Sequence, residues 1–336
     1  MPGAFVNQRS ENMTACARVA VVQAGSVPFD VKGSTDKACR LISEAAAQGA
    51  ALAVFPEAFI SGYPKGLDFG ARVGMRSPEG REDFRRYWAS AIDVPGPITA
   101  ALAAAATENN VYVMIGVIER EGGTLYCTAL FFSPDGRLMG KHRKLMPTAM
   151  ERLVWGFGDG STMPVFDTHI GKIGAVICWE NYMPLFRFAM YSKGIQLYCA
   201  PTADDRDSWL PSMQHIAVEG RCFVLSSCQY VKRGAYPQDY DAIQGNDPEI
   251  VMMRGGSCII SPFGQVLSGP NYEEECILVA DIDLGEIMRG KYDLDVVGHY
   301  ARPDVFRLYV NEAPAPPVVM KNSKSEEPFA FVEGMD

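Results

Sequence analysis

The sequence has no C-x-x-C pair, no H-E-x-x-H, no G-x-G-x-x-G and no excess of positive charge, and each absence removes a class of function. Its 9 cysteines are odd in number and scattered, so neither a disulfide framework nor a thiolate metal site is suggested, and a reducing compartment suits them. The four histidines, His142, His169, His215 and His299, show no ligand spacing. No metal and no cofactor are therefore expected. Gly156-Phe-Gly-Asp-Gly lacks both the spacing and the preceding strand of a dinucleotide fingerprint and reads as a loop. With 31 Lys and Arg against 40 Asp and Glu, the net charge of -9 argues against nucleic acid and against an anionic membrane as partners. No apolar run is long enough to span a bilayer, and Met1 to Thr14 lacks a basic end followed by an apolar stretch, so the expected location is the cytoplasm.

What the chain does contain is three candidate side chains, each placed at a strand end. Ile173 to Ile177 reads as a short buried strand that delivers Cys178 into a turn, Cys178-Trp-Glu-Asn, ahead of an apolar helix. A nucleophile at a strand end, beside free backbone N–H groups, is suited to attacking a carbon bonded to oxygen or nitrogen. A cysteine in that position is also commonly a small core hydrophobe. Ala51 to Phe55 is followed by Pro56 and Glu57, and apolar neighbours should raise that carboxylate toward a range useful for proton transfer. Strand-end capping is its plain alternative. Lys141-His-Arg-Lys144 follows a hairpin turned at Pro134-Asp-Gly, and four basic residues in a row read as a solvated edge. The other eight cysteines, Cys127 and Cys258 among them, mostly lie in or beside apolar runs and read as structural.

Taken together these segments resemble a nitrilase of the carbon–nitrogen hydrolase superfamily. That family carries, in this chain order, a glutamate after an apolar strand, a lysine in Arg-Lys-x-x-Pro-Thr and a cysteine in Cys-Trp-Glu, which here are Glu57, Lys144 and Cys178. Glu151, in Met146-Pro-Thr-Ala-Met-Glu-Arg, fits the family's second glutamate. Further matches are Trp155-Gly-Phe-Gly-Asp-Gly, His215 with Val218-Glu-Gly-Arg-Cys-Phe-Val, and Val297-Gly-His-Tyr-Ala-Arg-Pro-Asp. The resemblance runs from about Ala17 to about Asn311. It implies hydrolysis of an organic nitrile to the carboxylic acid and ammonia through a thioimidate and then a thioester on Cys178. Amide or N-carbamoyl hydrolysis with the same triad, hydration of the nitrile to the amide, and a non-catalytic assembly module of the same fold are the alternatives.

Hydrophobic periodicity places a strand at Arg18 to Ala24, a helix at Thr35 to Gln48 and a strand at Ala51 to Phe55, a β-α-β opening. A helix over Ile98 to Glu108 precedes strands at Val111 to Ile118 and Leu125 to Phe132. Beyond Val165, helices are expected at Leu185 to Ser192 and Ser208 to Glu219, and strands at Gln196 to Ala200, Phe223 to Cys228, Ser257 to Ser261 and Ile277 to Asp281, before a short helix from Leu284. Such alternation is α/β, with mixed sheets covered by helices. What the resemblance adds is a four-layer αββα sandwich. The expected division is an extension at 1–16, one catalytic domain at 17–311, and an extended or mobile tail at 312–336.

Glu57 is the expected proton acceptor, and Lys144 the cation that favours the Cys178 thiolate and, with the Trp179 N–H, meets charge on the attacked nitrogen. Glu151 is expected to orient Lys144 or the attacking water, its alternative being an ion pair with Arg152 or Arg143. Glu180 reads as a backbone or ion-pair anchor. Phe59, Tyr63, Trp179, Tyr182 and Trp209 are candidate aromatic walls for an aromatic, arylaliphatic or aliphatic nitrile. His215 is a candidate pocket residue or a buried core histidine, and Asp204-Asp-Arg-Asp either rims the entrance or caps the next helix. The resemblance also implies a homodimer or a larger homo-oligomer that can extend into a spiral, and Phe186, Phe188, Met190 and Tyr191 are candidates for its helical interface, with core packing as the alternative.

Overall fold

A computed structural model describes residues 16–319, so nearly all of the expected extension and most of the expected tail lie outside the described residues. The chain opens with β1 (Cys16–Gln23), α1 (Val31–Ala47) and β2 (Leu52–Val54). A small ribbon of β3 (Ala71–Arg72) and β4 (Met75–Arg76) leads to α2 (Pro78–Ala89), α3 (Pro97–Glu108), β5 (Tyr112–Glu121), β6 (Thr124–Phe132) and β7 (Leu138–Arg143). The second half runs β8 (Val165–Thr168), β9 (Gly171–Ala175), α4 (Pro184–Ser192), β10 (Leu197–Thr202), α5 (Trp209–Gly220) and β11 (Phe223–Cys228). A ribbon of β12 (Tyr230–Lys232) and β13 (Val251–Arg254) then precedes β14 (Cys258–Ile260), β15 (Val266–Ser268), β16 (Cys276–Asp283) and α6 (Gly285–Asp293).

Two six-stranded mixed sheets result, ordered β16-β1-β2-β5-β6-β7 and β15-β14-β11-β10-β9-β8. Three cores fill the spaces between layers. Val19, Val21 and Met114 from one sheet meet Ile173, Leu197 and Leu225 from the other. Ile42 and Leu102 cover the outer face of the first sheet, and Phe186, Met190 and Ile216 that of the second. This is the αββα sandwich, and burying both faces of each sheet explains why strands such as Tyr112–Glu121 read as continuous apolar runs. Phe186, Met190 and Tyr191 are spent on this core, so of the two readings of this helix the structure takes core packing and not an exposed interface. Among the described residues no helix is long and apolar enough to cross a membrane.

Most elements fall within a few residues of where periodicity puts them. The helix α2 was not anticipated, since its only buried residues are Gly80 and Tyr87 and no apolar stripe marks it. Its start was nonetheless written in Ser77-Pro78-Glu79, where the Ser77 hydroxyl accepts from the Gly80 N–H at 3.0 Å. The strand expected at Ile173 to Ile177 stops at Ala175, and the chain turns before Cys178.

The reactive residues leave the ends of strands β2, β7 and β9, where the two sheets face each other. Gly116 on β5 lies under the Glu57 turn; a Cβ there would sit 2.3 Å from the Pro56 carbonyl oxygen and 2.7 Å from the Glu57 Cα, so only glycine permits this approach. Strand alternation divides the basic run. Lys141 and Arg143 point to Glu119, at 2.5 and 2.6 Å, while His142 and Lys144 point inward and are fully buried. A solvated edge is therefore only half of that segment. Glu180 ties the two sheets together: its carboxylate accepts from the Leu145 N–H at 2.5 Å, the Ile177 N–H at 2.8 Å and His142 Nε2 at 2.9 Å. Leu145 follows Lys144, and Ile177 precedes Cys178, so one buried carboxylate sets the spacing between cation and thiol. Burial disfavours a charged His142, but Glu180 and the Thr162 carbonyl outweigh it and raise the imidazole pKa.

Glu180→Ala should strand two backbone donors and a buried imidazole, lowering stability by about 3–5 kcal/mol in urea denaturation. A loss below about 1 kcal/mol would show that the strut carries little.

Candidate active site

Cys178 sits at the end of β9 with φ +50°, a left-handed backbone that a non-glycine residue adopts only under local constraint. The constraint is visible. Asn181 Nδ2 donates to the Val176 carbonyl at 2.8 Å and to the Cys178 carbonyl at 2.7 Å, and Arg187 holds the Asn181 carbonyl at 2.8 Å. The turn continues as a single 3-10 turn over Cys178–Tyr182. Among the described residues the Trp179 N–H is not taken up by any backbone carbonyl, which would leave it available to charge developing beside the sulfur.

The Lys144 ammonium is wholly buried between two carboxylates, donating to Glu57 Oε1 at 2.6 Å and to Glu151 Oε2 at 2.7 Å. Its Nζ also lies 5.4 Å from the centre of the Trp155 ring. Burial works against this cation, yet the charges of Glu57, Cys178 and Glu151 hold its pKa well above the usual lysine value. Glu57 behaves in the opposite sense. Burial, and secondarily the negative charge of Glu151, push its pKa up despite Lys144, so it takes a proton more readily than an ordinary glutamate. Its Oε1 accepts from Lys144 and from the Cys127 thiol at 3.3 Å, while its buried Oε2 has no partner among the described residues. An unoccupied acceptor on a carboxylate of raised pKa is the group a thiol proton would need. Burial and the two carboxylates also push the Cys178 thiol far up, so it rests protonated and would have to lose that proton to act as a nucleophile.

Glu151 bonds more than the lysine. Its Oε2 also accepts from the Thr148 N–H at 2.6 Å, and its Oε1 from the Tyr63 hydroxyl at 2.7 Å. It pairs with neither Arg152 nor Arg143, which instead engage the Ala149 carbonyl and Glu119 and Glu121. Burial raises the Tyr63 pKa well above the tyrosine range, so that hydroxyl stays a donor.

Of the expected aromatic walls, Tyr63 reaches this cluster and Trp179 is 40% exposed at its rim. Tyr182 packs edge-on against Trp179, its ring 5.8 Å away. The other two, and the pocket candidate His215, lie elsewhere. Phe59 is fully buried in the core beneath α1 and α3, against Phe55; Trp209 is 2% exposed and donates to Ser226 Oγ at 2.8 Å in the opposite core. His215 faces solvent on α5, 3.7 Å from Glu219, so it is neither in the cluster nor a buried core histidine. Asp204 neither caps α5 nor faces open solvent; its carboxylate turns inward to Trp179 Nε1 at 2.8 Å and to Arg206 Nε at 2.8 Å.

Sequence reasoning missed Cys127, taken there for a structural cysteine, and Gln229, whose side chain donates to the Glu57 carbonyl at 2.9 Å. Cys127 comes from a strand whose apolar content hides it, and strand alternation alone places it on the face shared with the other sheet, whereas Gln229 lies in the one-residue gap between β11 and β12. Among the described residues no group of three or more His, Cys, Asp or Glu is placed to hold a metal.

A cavity of about 170 Å³ opens on Tyr63 and Glu151. It shares Phe69, Met150, Leu153 and Val154 with a larger chamber of about 820 Å³ formed by the β3–β4 ribbon, α2 and the 149–153 turn.

Residues 18–292 match the carbon–nitrogen hydrolase family. The chain is 64% identical to a nitrilase of Bradyrhizobium diazoefficiens over 88% of its length and 92% of that protein. It is 61% identical to an aliphatic nitrilase of Sinorhizobium fredii, covering 90% of this chain and 98% of that one, and 55% identical to a bifunctional nitrilase/nitrile hydratase of Lupinus angustifolius, covering 96% and 94%. Among solved structures, a carbon–nitrogen hydrolase from Helicobacter pylori superposes with a TM-score of 0.65 at 19% identity over 84% of this chain and 94% of that one; this likeness concerns the fold. With a family match spanning nearly all of the described sandwich and these identities over almost the whole length, the chain belongs to the carbon–nitrogen hydrolase family, among its nitrilases.

Proposed function

We propose that this nitrilase converts its nitrile to the carboxylic acid and ammonia with Cys178 as nucleophile, Glu57 as proton acceptor, Lys144 as charge stabiliser and Glu151 as the group that orients Lys144. The observation that carries this reading is the single buried ammonium shared by two carboxylates, one of which keeps an unpartnered oxygen, next to a thiol at a strained turn. Glu57 removes the thiol proton as sulfur bonds to the nitrile carbon. One C≡N π bond opens, and the nitrogen takes up that proton to leave a thioimidate. Lys144 and the Trp179 N–H meet the charge developing on nitrogen, a role in which losing one donor typically costs about a hundredfold or more in rate. Water, deprotonated by Glu57, then adds to the carbon. Glu57 returns that proton to nitrogen, the added hydroxyl's proton follows as the C=O bond forms and the C–N bond breaks, and ammonia leaves a thioester behind. A second water releases the acid and restores the thiol. Hydration to the amide is the same tetrahedral species losing sulfur instead of ammonia, and the bifunctional name of the lupin relative supports including it as a branch.

The substrate's tail is assigned to the 820 Å³ chamber, whose Phe69, Met75, Phe84, Met150, Leu153 and Val154 suit an arylaliphatic or extended aliphatic group. A homo-oligomer is supported by Tyr300, Phe306 and Tyr309, which are 62%, 79% and 82% exposed on one segment, more apolar surface than an isolated domain usually presents. Free cysteines throughout the described residues are consistent with a cytoplasmic setting.

Cys178→Ala should abolish release of ammonia from nitriles while Cys258→Ala, in the core, keeps it; activity surviving in the first variant would remove Cys178 as nucleophile. Because the Glu57 pKa is raised and the reaction needs its ionised form, kcat/KM should fall on acidification at a pH above the ordinary glutamate value of about 4.3. An acid limb at or below that value would contradict the role given to Glu57. Leu153→Trp should raise KM for phenylacetonitrile several-fold while leaving a short aliphatic nitrile nearly unaffected, and equal effects on both would place the tail elsewhere.

A further inference from the structure

Thr202 ends β10, the strand hydrogen-bonded to β9, and so arrives beside the turn that carries the nucleophile. Its side chain is fully buried, and its Oγ1 lies 3.2 Å from Cys178 Sγ. The same oxygen also accepts from the Asp204 N–H at 2.9 Å. The single hydroxyl proton is directed at sulfur, its one acceptor among the described residues.

We propose that Thr202 is a catalytic residue of this enzyme, donating a hydrogen bond to the Cys178 sulfur that strengthens as the thiolate forms, and that Asp204 is the positioning residue that aims it. The proposal rests on Cys178 being the nucleophile. No bond to Thr202 is made or broken; its proton stays on oxygen while the thiol proton passes to Glu57. A neutral hydroxyl bonded to a thiol is worth little, but the same bond to an anionic sulfur in a water-poor site is worth considerably more, so it favours the transition state over the resting enzyme. Thiolate character returns when the thioester expels sulfur, and the same donor serves that step.

Asp204 is well placed to hold the aim. Its carboxylate is locked by the Trp179 indole N–H at 2.8 Å and by Arg206 Nε at 2.8 Å, and the Arg206 guanidinium stacks on Trp179 with its carbon 4.8 Å from the ring centre. The loop after β10 is thereby tied to the residue that follows the nucleophile. Of the groups acting on the thiol, burial, Glu57 and Glu151 oppose its ionisation; Lys144 and Thr202 favour it. Lys144 is already shared by two carboxylates, which leaves the hydroxyl as the donor in direct contact with sulfur.

The test compares wild type, Thr202→Val, Thr202→Ala and Thr202→Ser by the rate of iodoacetamide alkylation at Cys178 as a function of pH, located by mass spectrometry, alongside nitrile turnover and circular dichroism. Both hydroxyl-free variants should alkylate about tenfold or more slowly near neutral pH, the worth of one hydrogen bond to a charged acceptor, with the alkylation midpoint moved to higher pH. Thr202→Ser should stay near wild type. Asp204→Asn should fall between, with kcat reduced more than KM is raised. A folded Val or Ala variant with wild-type alkylation rate and midpoint overturns the proposal; if neither folds, a folded Ser variant that has lost reactivity does so. Failure of the wild type to label at Cys178 would instead overturn the nucleophile assignment, which keeps the two failures apart.

Discussion

One buried ammonium with two carboxylates on it is the constraint from which the site follows. Lys144, Glu57 and Glu151 share a space from which water is largely excluded, and removing either sign would leave a charge that the interior cannot solvate. Against that one cation stand two carboxylates and a thiol, three potential negative charges to one positive, so ionising the thiol is opposed and its proton needs a recipient nearby. Burial and Glu151 raise Glu57 to make it the natural recipient, and Tyr63 and Thr148 keep Glu151 supplied with donors. The chemistry thus begins from an electrostatic imbalance, with the sulfur kept as a thiol until a substrate arrives.

The sandwich converts that requirement into geometry. Glu57, Lys144 and Cys178 come from the ends of β2, β7 and β9, and the sheets that carry them meet through a continuous apolar core. Three contacts then set the final spacing: Gly116 lets the Glu57 turn approach β5, Glu180 joins the residues flanking Lys144 and Cys178, and Asn181 pins the nucleophile's own carbonyl. Side chains that carry no chemistry are therefore as necessary to the site as those that do. On the open side, the cavity at Tyr63 and Glu151 shares its walls with the chamber beside α2, so the proposed place of the substrate's tail is built from the least regular part of the fold.

What the sequence made legible was local. The order Glu57, Lys144, Cys178 and the apolar runs that precede them could be read directly, and so could most strands and helices. Contacts formed across the sheets could not. Cys127 looks like any strand cysteine until Glu57, 70 residues away, is laid on it, and Thr202 lay past the expected end of its strand at Ala200. The basic run at 141–144 shows the same lesson, since counting charge suggested a wet edge whereas a period of two sends His142 and Lys144 inward. Proximity in sequence also misled: Phe59 lies two residues from Glu57, yet alternation and the turn put it in the opposite core. The tertiary fold, through burial, decided which aromatic residues became walls and which became packing.

The most direct test of the shared-ammonium account is a double-mutant cycle on the single-turnover rate of Cys178 acylation, using Lys144→Met, Glu57→Gln and the pair. Groups acting as one unit should be strongly non-additive, the double variant being scarcely slower than the worse single variant. Additive losses in log rate would show that the two side chains act independently and would contradict the account.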